Sequence, residues 1–223
     1  MNKKIISKIK TSCTGLLLVV SIFSYTQLNA SYKSTNINES TVSVAKFGEL
    51  KLIEKSNLDP NYELIINNET KLQYSDIRSG ENIEKSFHVE YKSGEVPTYI
   101  FFTLYMNDWQ YSPENNALYL LNKLGDNYLM ALKMVNDDWN LLKSEKITKD
   151  GQEVTGYIYY KEVEANQDVD DILIDKINVN LISSNDIKYL DGKSSIGIGA
   201  YAISKQGLII TPSAAWDVLK LKI

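Results

Sequence analysis

The sequence predicts an all-β chain, an antiparallel, jelly-roll-like β-sandwich with a short helical insertion and a C-terminal helix. Three observations lead there. Period-2 alternation of apolar and polar residues recurs in several short segments, and turn residues separate those segments. Helical spacing of apolar residues is confined to one interval and to the extreme C-terminus. A doubly wound α/β fold needs helices between most of its strands, and this chain offers them in one interval only.

The N-terminus reads as a leader. Lys3, Lys4, Lys8 and Lys10 stand without an acidic residue beside them and precede the apolar run from Gly15 to Phe23. That run is shorter than the roughly 20 apolar residues of a membrane-spanning helix, and a polar stretch carries the chain on to Ala30. Residues 1–30 are therefore expected to be a cleavable secretory signal peptide, cut near Ala30 and Ser31. Leu28 stands where a small residue is usual, which places the cut within a few residues of Ala30.

Processing changes the chemistry that remains. Cys13, the only cysteine, lies upstream of the apolar run, where no lipid attachment follows from it. Its loss with the leader leaves a mature chain without disulfide, thiol nucleophile or thiolate metal ligand. Four lysines and no carboxylate leave as well, so 20 basic residues face 28 acidic ones and the net charge is −8. Such a chain has no basic patch to neutralise phosphates, which argues against nucleic acid as a partner. No stable membrane insertion is expected after processing.

The mature elements follow in order. Residues 31–46 are polar and rich in Ser, Thr and Asn, with Ile37, Val42 and Val44 as aliphatic points and Tyr32 near the tip; they read as an extended arm. The domain proper is expected over 47–223. In KFGELKLIEK, Leu50 and Leu52 alternate with Glu49 and Lys51, and in SFHVEYK, Phe87, Val89 and Tyr91 share one face opposite Ser86, His88, Glu90 and Lys92. TYIFFTLYM, Thr98 to Met106, is dense enough in aromatic and β-branched residues for a central strand, with Pro97 just before it. Over about 113–142, Leu118, Leu121 and Leu124, then Leu129, Leu132 and Val135, recur at three- and four-residue spacing and predict two short helices split at Gly125. Strands are expected again at TGYIYYKEV, KINVNLI and SIGIGAYAIS. Thr211 as cap and Pro212 at the first helical position open a last helix, with Ala215, Trp216 and Leu219 as its packing stripe.

Catalytic chemistry finds little to work with. The one histidine, His88, sits on the polar face of its strand, and hydrolase nucleophiles need a base within reach. HExxH is absent. In EVEANQDVDD, Asn166, Asp168 and Asp170 fall at alternate positions as in a calcium loop. However, Asp171 replaces the sharp-turn glycine and Ile177 the bidentate glutamate, so a solvated acidic loop is the better reading. Gly197 and Gly199 lie in strand context, without a P-loop lysine, and are expected to admit close approach of another group. No catalytic residue, metal ligand or cofactor is assigned. The fifteen tyrosines serve either cross-strand packing or a carbohydrate- or surface-binding face.

Taken in order, these segments resemble the TasA/camelysin family of secreted biofilm fibre proteins from Gram-positive bacteria. The resemblance covers YKSTNINESTVSVAKFGELKL, SDIRSGENIEKSFHVEYKSGEVP, DDWNLLKSEKITKDGQEVTGYIYYKEV and, most specifically, AYAISKQGLIITPSAAWDVL. Ser79 replaces the proline of the family's Leu-x-Pro-Gly turn. The resemblance implies a secreted, non-enzymatic structural subunit, located at the cell surface or in the extracellular matrix. Its partners would be its own copies in a fibre and a signal peptidase during export. Polymerisation would proceed by donor-strand complementation, with Tyr32, Ile37, Val42 and Val44 on the donated arm. The alternative function is a monomeric adhesin or carbohydrate-binding module.

Overall fold

The computed structural model describes residues 47–66, 70–73, 80–122, 127–149, 151–180, 195–205 and 211–221. The leader and the arm, including Ala30, Ser31, Tyr32, Ile37, Val42 and Val44, lie outside the described residues. Gly48–Ile223 forms one compact unit.

Alternation in the sequence becomes strand wherever one face can be buried. The strands are β1 (Glu49–Ser56), β2 (Glu63–Ile66), β3 (Thr70–Gln73), β4 (Asn82–Ile83), β5 (Lys85–Lys92), β6 (Thr98–Met106) and β7 (Trp109–Ser112). They continue with β8 (Ala117–Leu121), β9 (Tyr128–Lys133), β10 (Asn140–Lys149), β11 (Gln152–Val163), β12 (Val169–Ile174), β13 (Ile177–Val179) and β14 (Ser195–Ser204). The helix α1 (Pro212–Lys220) ends the described chain. The result is a mostly antiparallel, β-sheet-rich domain with one C-terminal helix among the described residues.

Three sheets carry it, with strand orders β12-β5-β1-β2, β10-β11-β6-β14-β3 and β4-β13-β9-β8-β7. The first and third are linked by chain continuity, because β4 runs into β5 and β12 into β13 with one- or two-residue breaks. The main core draws Leu52, Phe87 and Val89 from the first sheet, Phe102, Leu104 and Tyr159 from the second, and Leu118, Leu120 and Met130 from the third. Strand β6 is central and buried along its whole length, as its composition predicts. Its even residues Ile100, Phe102, Leu104 and Met106 enter the main core. Tyr99 and Phe101, on the other face, pack under α1.

The region 113–142 corrects the sequence reading, because its described residues form β8, β9 and the start of β10 rather than a helical insertion. Ala117, Leu118 and Leu120 are buried in one strand, and Leu129, Met130, Ala131 and Leu132 run buried in the next. When both faces of a strand are covered, its alternation disappears, and the leucines that remain fall by chance at helical spacing. The expected split at Gly125 lies outside the described residues.

The C-terminal helix keeps to its sequence signals. The Thr211 hydroxyl accepts the Ala214 N–H at 3.2 Å, Pro212 occupies the first turn, and Ala215, Trp216 and Leu219 are buried. Trp216 stacks at 5.4 Å from the Phe101 ring and 6.1 Å from the Tyr201 ring. Its indole N–H donates to Glu145 Oε1 at 3.3 Å, and Lys220 Nζ donates to Glu145 Oε2 at 2.7 Å. Burial alone would raise the Glu145 pKa, but the hydrogen bonds from Lys220 and Trp216 and the Lys143 charge together hold it below the ordinary glutamate range. A depressed carboxylate stabilises the fold above its unfolded pKa, and that contribution disappears as pH falls through the lower, folded value. Acid titration below pH 5 should therefore loosen α1 before the sheets melt. Glu145→Gln should flatten that step in a tryptophan-fluorescence titration; an unchanged titration would exclude Glu145 as its origin.

Among the described residues two buried polar atoms lack a hydrogen-bond partner, Asn107 Oδ1 and the Tyr159 hydroxyl, and the second lies in the main core. The Tyr159 hydroxyl is buried without a hydrogen-bond partner, and burial pushes its pKa up. An unpaired buried polar group costs stability. Tyr159→Phe is expected to be neutral or stabilising by up to about 1 kcal/mol, read from urea denaturation midpoints.

Candidate functional site

The catalytic candidates resolve into structural contacts. His88 is half-buried on the outward face of β5, with Nε2 at 2.9 Å from the Ser86 hydroxyl. Burial, and then the Lys55 charge, lower its pKa below the usual histidine value. Ser86 is itself buried, 3% exposed, on a flat strand face. A hydroxyl exposed to that extent presents little surface to a substrate.

The acidic segment 162–171 is tied into the fold at three points. Asp168 Oδ1 accepts the Ser93 N–H at 2.8 Å and the Ser93 hydroxyl at 2.9 Å, while Oδ2 pairs with Lys92 Nζ at 2.9 Å. The Lys92 hydrogen bond, then those from Ser93, hold the Asp168 pKa down to about 2. Glu162 pairs with Lys205 Nζ at 2.8 Å. Asp170 and Asp171 belong to β12 rather than to a loop. Among the described residues no group of three or more His, Cys, Asp or Glu is placed to hold a metal ion.

Asp171 makes the contact that sequence reasoning missed. Its Oδ2 accepts from Lys161 Nζ at 2.8 Å and from the Trp139 indole N–H at 2.7 Å, and Lys161 also reaches Asp138 at 3.3 Å. Asp171 pairs with Val89 in the first sheet and Lys161 with Ile100 in the second. The ion pair thus ties one sheet to the other. Its partners are 10 and 32 residues apart from Asp171 in the chain, so no local pattern announces it.

The glycines of β14 do admit a close neighbour. A Cβ at Gly197 would lie 3.2 Å from the Tyr105 side chain and one at Gly199 2.9 Å from the Tyr201 hydroxyl, while Gly156 of β11 stands on the other side of Tyr105, where a Cβ would lie 3.0 Å from its ring. The pair of half-buried Tyr119 and exposed Tyr128 has ring centroids 5.5 Å apart but planes tilted by 55°. Tilted rings make a poor platform for the flat face of a sugar.

What stands open is a sheet edge. Strand β3 pairs with β14 only from Ser195 to Ile198, so Gly199–Ser204 has β6 on one side and no strand on the other among the described residues. Strand β1 repeats the pattern, since β2 pairs with Leu52–Lys55 and Glu49–Lys51 has β5 as its one partner among the described residues. Leu50 on one open stretch and Ala200 and Ala202 on the other are half-buried against the main core. β1 and β14 are in contact with each other. A strand edge beside small apolar residues is the kind of feature to which an extended segment can add by backbone pairing.

No family model, no curated protein and no solved structure matches this chain. Among the described residues no helix is long and apolar enough to cross a membrane.

Proposed function

We propose that the protein is a secreted structural subunit of an extracellular biofilm fibre. In this reading the domain is a jelly-roll-like sandwich, and cleavage near Ala30 frees the arm at 31–46. The arm of one subunit then pairs with the open edge of the next. The observation that supports it best is that, among the described residues, Gly199–Ser204 of β14 has β6 as its one strand partner, with the small side chains Ala200 and Ala202 packed half-buried against the core. An added strand there supplies backbone hydrogen bonds, and Ile37, Val42 and Val44 supply the apolar knobs.

Electron microscopy of the chain beginning at Ser31 tests the reading. Filaments are expected from it and none after deletion of 31–46, with the domain still folded by circular dichroism. Filaments that persist after the deletion exclude the arm as donor. A chain that stays monomeric at high concentration removes the fibre reading in favour of a monomeric surface module.

A further inference from the structure

We propose that the outer face of the β12-β5-β1-β2 sheet is a docking surface for the same face of a second copy of this chain. In register across the four strands lies one outward row, Ile65, Ile53, His88 and Ile172. Ile53 is buried at its centre, whereas Ile65 and Ile172 are 46% and 45% exposed at the two edges. Two large aliphatic side chains standing in water at opposite ends of one row give the face its incentive to be covered.

Charge decides what covers it. Next to the apolar row, Lys51 of β1 and Glu90 of β5 are register partners on the same outward face; within one chain Lys51 pairs with Glu49 at 3.5 Å and Glu90 with Lys55 at 3.6 Å, so contacts between copies exchange these partly exposed pairs. A two-fold axis running along the strands lays β1 over β5 and β2 over β12 of the second copy. Ile65 then meets Ile172, Ile53 meets His88, and Lys51 meets Glu90 twice by symmetry. The other in-plane axis lays β1 over β1 and opposes Lys51 with Lys55, two like charges. Of these two in-register arrangements the first is the self-complementary one, which is the requirement for an isologous contact. His88 faces Lys55 from β1, Asp170 from β12, Glu63 from β2 and Glu90 on its own strand, and its lowered pKa leaves the row uncharged near neutral pH.

The contact is small. Three rows across four strands give a footprint of roughly 400 Å² per copy from ordinary strand spacings. A stable interface needs about 800 Å² per partner, so a single pair of copies binds weakly. Repetition along two filaments multiplies it, and side-by-side pairing of fibres is the expected use. That use rests on the fibre reading, whereas the pairing of two domains does not.

The test uses the chain from Ser31, by electron microscopy for paired filaments and by sedimentation velocity for dimers where filaments do not form. Ile172→Lys should weaken association at least tenfold. Lys51→Glu and Glu90→Lys should each weaken it several-fold, and the double variant should return to within about threefold of the parent, because the swapped charges again oppose each other. A parent chain that neither pairs as filaments nor dimerises up to about 1 mM overturns the proposal. So do variants that associate like the parent, and a double variant as weak as the singles. Association that appears only once residues 31–46 are deleted makes the arm the occupant of this face instead. Failure to form filaments counts against the fibre reading alone.

Discussion

Trp216→Ala is expected to detach the C-terminal helix and to destabilise the domain by about 3–5 kcal/mol, the range for removing a large aromatic from a packed site. Trp216 is 1% exposed and touches Phe101 and Tyr201 by ring contact, so truncation opens a void against the central strand β6. It also removes the indole donor from Glu145, leaving that carboxylate with lysines alone. For a domain of this length the melting temperature should fall by roughly 10 °C. Tyr99 and Phe101, otherwise buried, become accessible, and binding of a hydrophobic dye should rise with the loss of helical signal. Trp216→Phe keeps the ring contacts and should recover more than half of the loss. An alanine variant melting within 2–3 °C of the parent would show that α1 contributes little to the fold.

How much of this was legible beforehand depends on how a residue's partner is reached. In β5 the alternation of Phe87, Val89 and Tyr91 states its own burial, since one face of the strand meets the core and the other meets water. The helix α1 declares itself by local chemistry, with a cap, a proline and a stripe inside ten residues. The leucines of β8 and β9 give no such statement. Their strands are covered on both faces, and period, the signal that separates strand from helix, vanishes there. The edge is likewise invisible in sequence, because it depends on how far the β3–β14 pairing reaches, from Ser195 to Ile198 among the described residues. The small side chains Ala200 and Ala202 hint at it only once the edge is known.

Asp171 is the clearest case of a residue whose role lies across space, and its removal is the second large expected effect. Lys161 and Asp171 have side chains that are each 15% exposed, and they join two sheets face to face. Asp171→Ala leaves the Lys161 ammonium with the exposed Asp138 and the Trp139 indole N–H without its acceptor. Removing one partner of a mostly buried, hydrogen-bonded pair is expected to cost about 2–4 kcal/mol. Asp171→Asn keeps an oxygen for Trp139 and gives up the charge, so it should cost roughly half as much. Replacing both charges, as Asp171→Asn with Lys161→Met, leaves no unpaired ion and should cost less than the two single changes added together. A double-mutant cycle by urea denaturation should return a coupling of about 1–3 kcal/mol. Additive single costs would mean that solvent reaches the pair and that the sheets are held together by their apolar faces alone. A positive coupling instead makes the acidic run at 162–171 a fastening between layers, built from one carboxylate whose partners lie on β11 and beside β10.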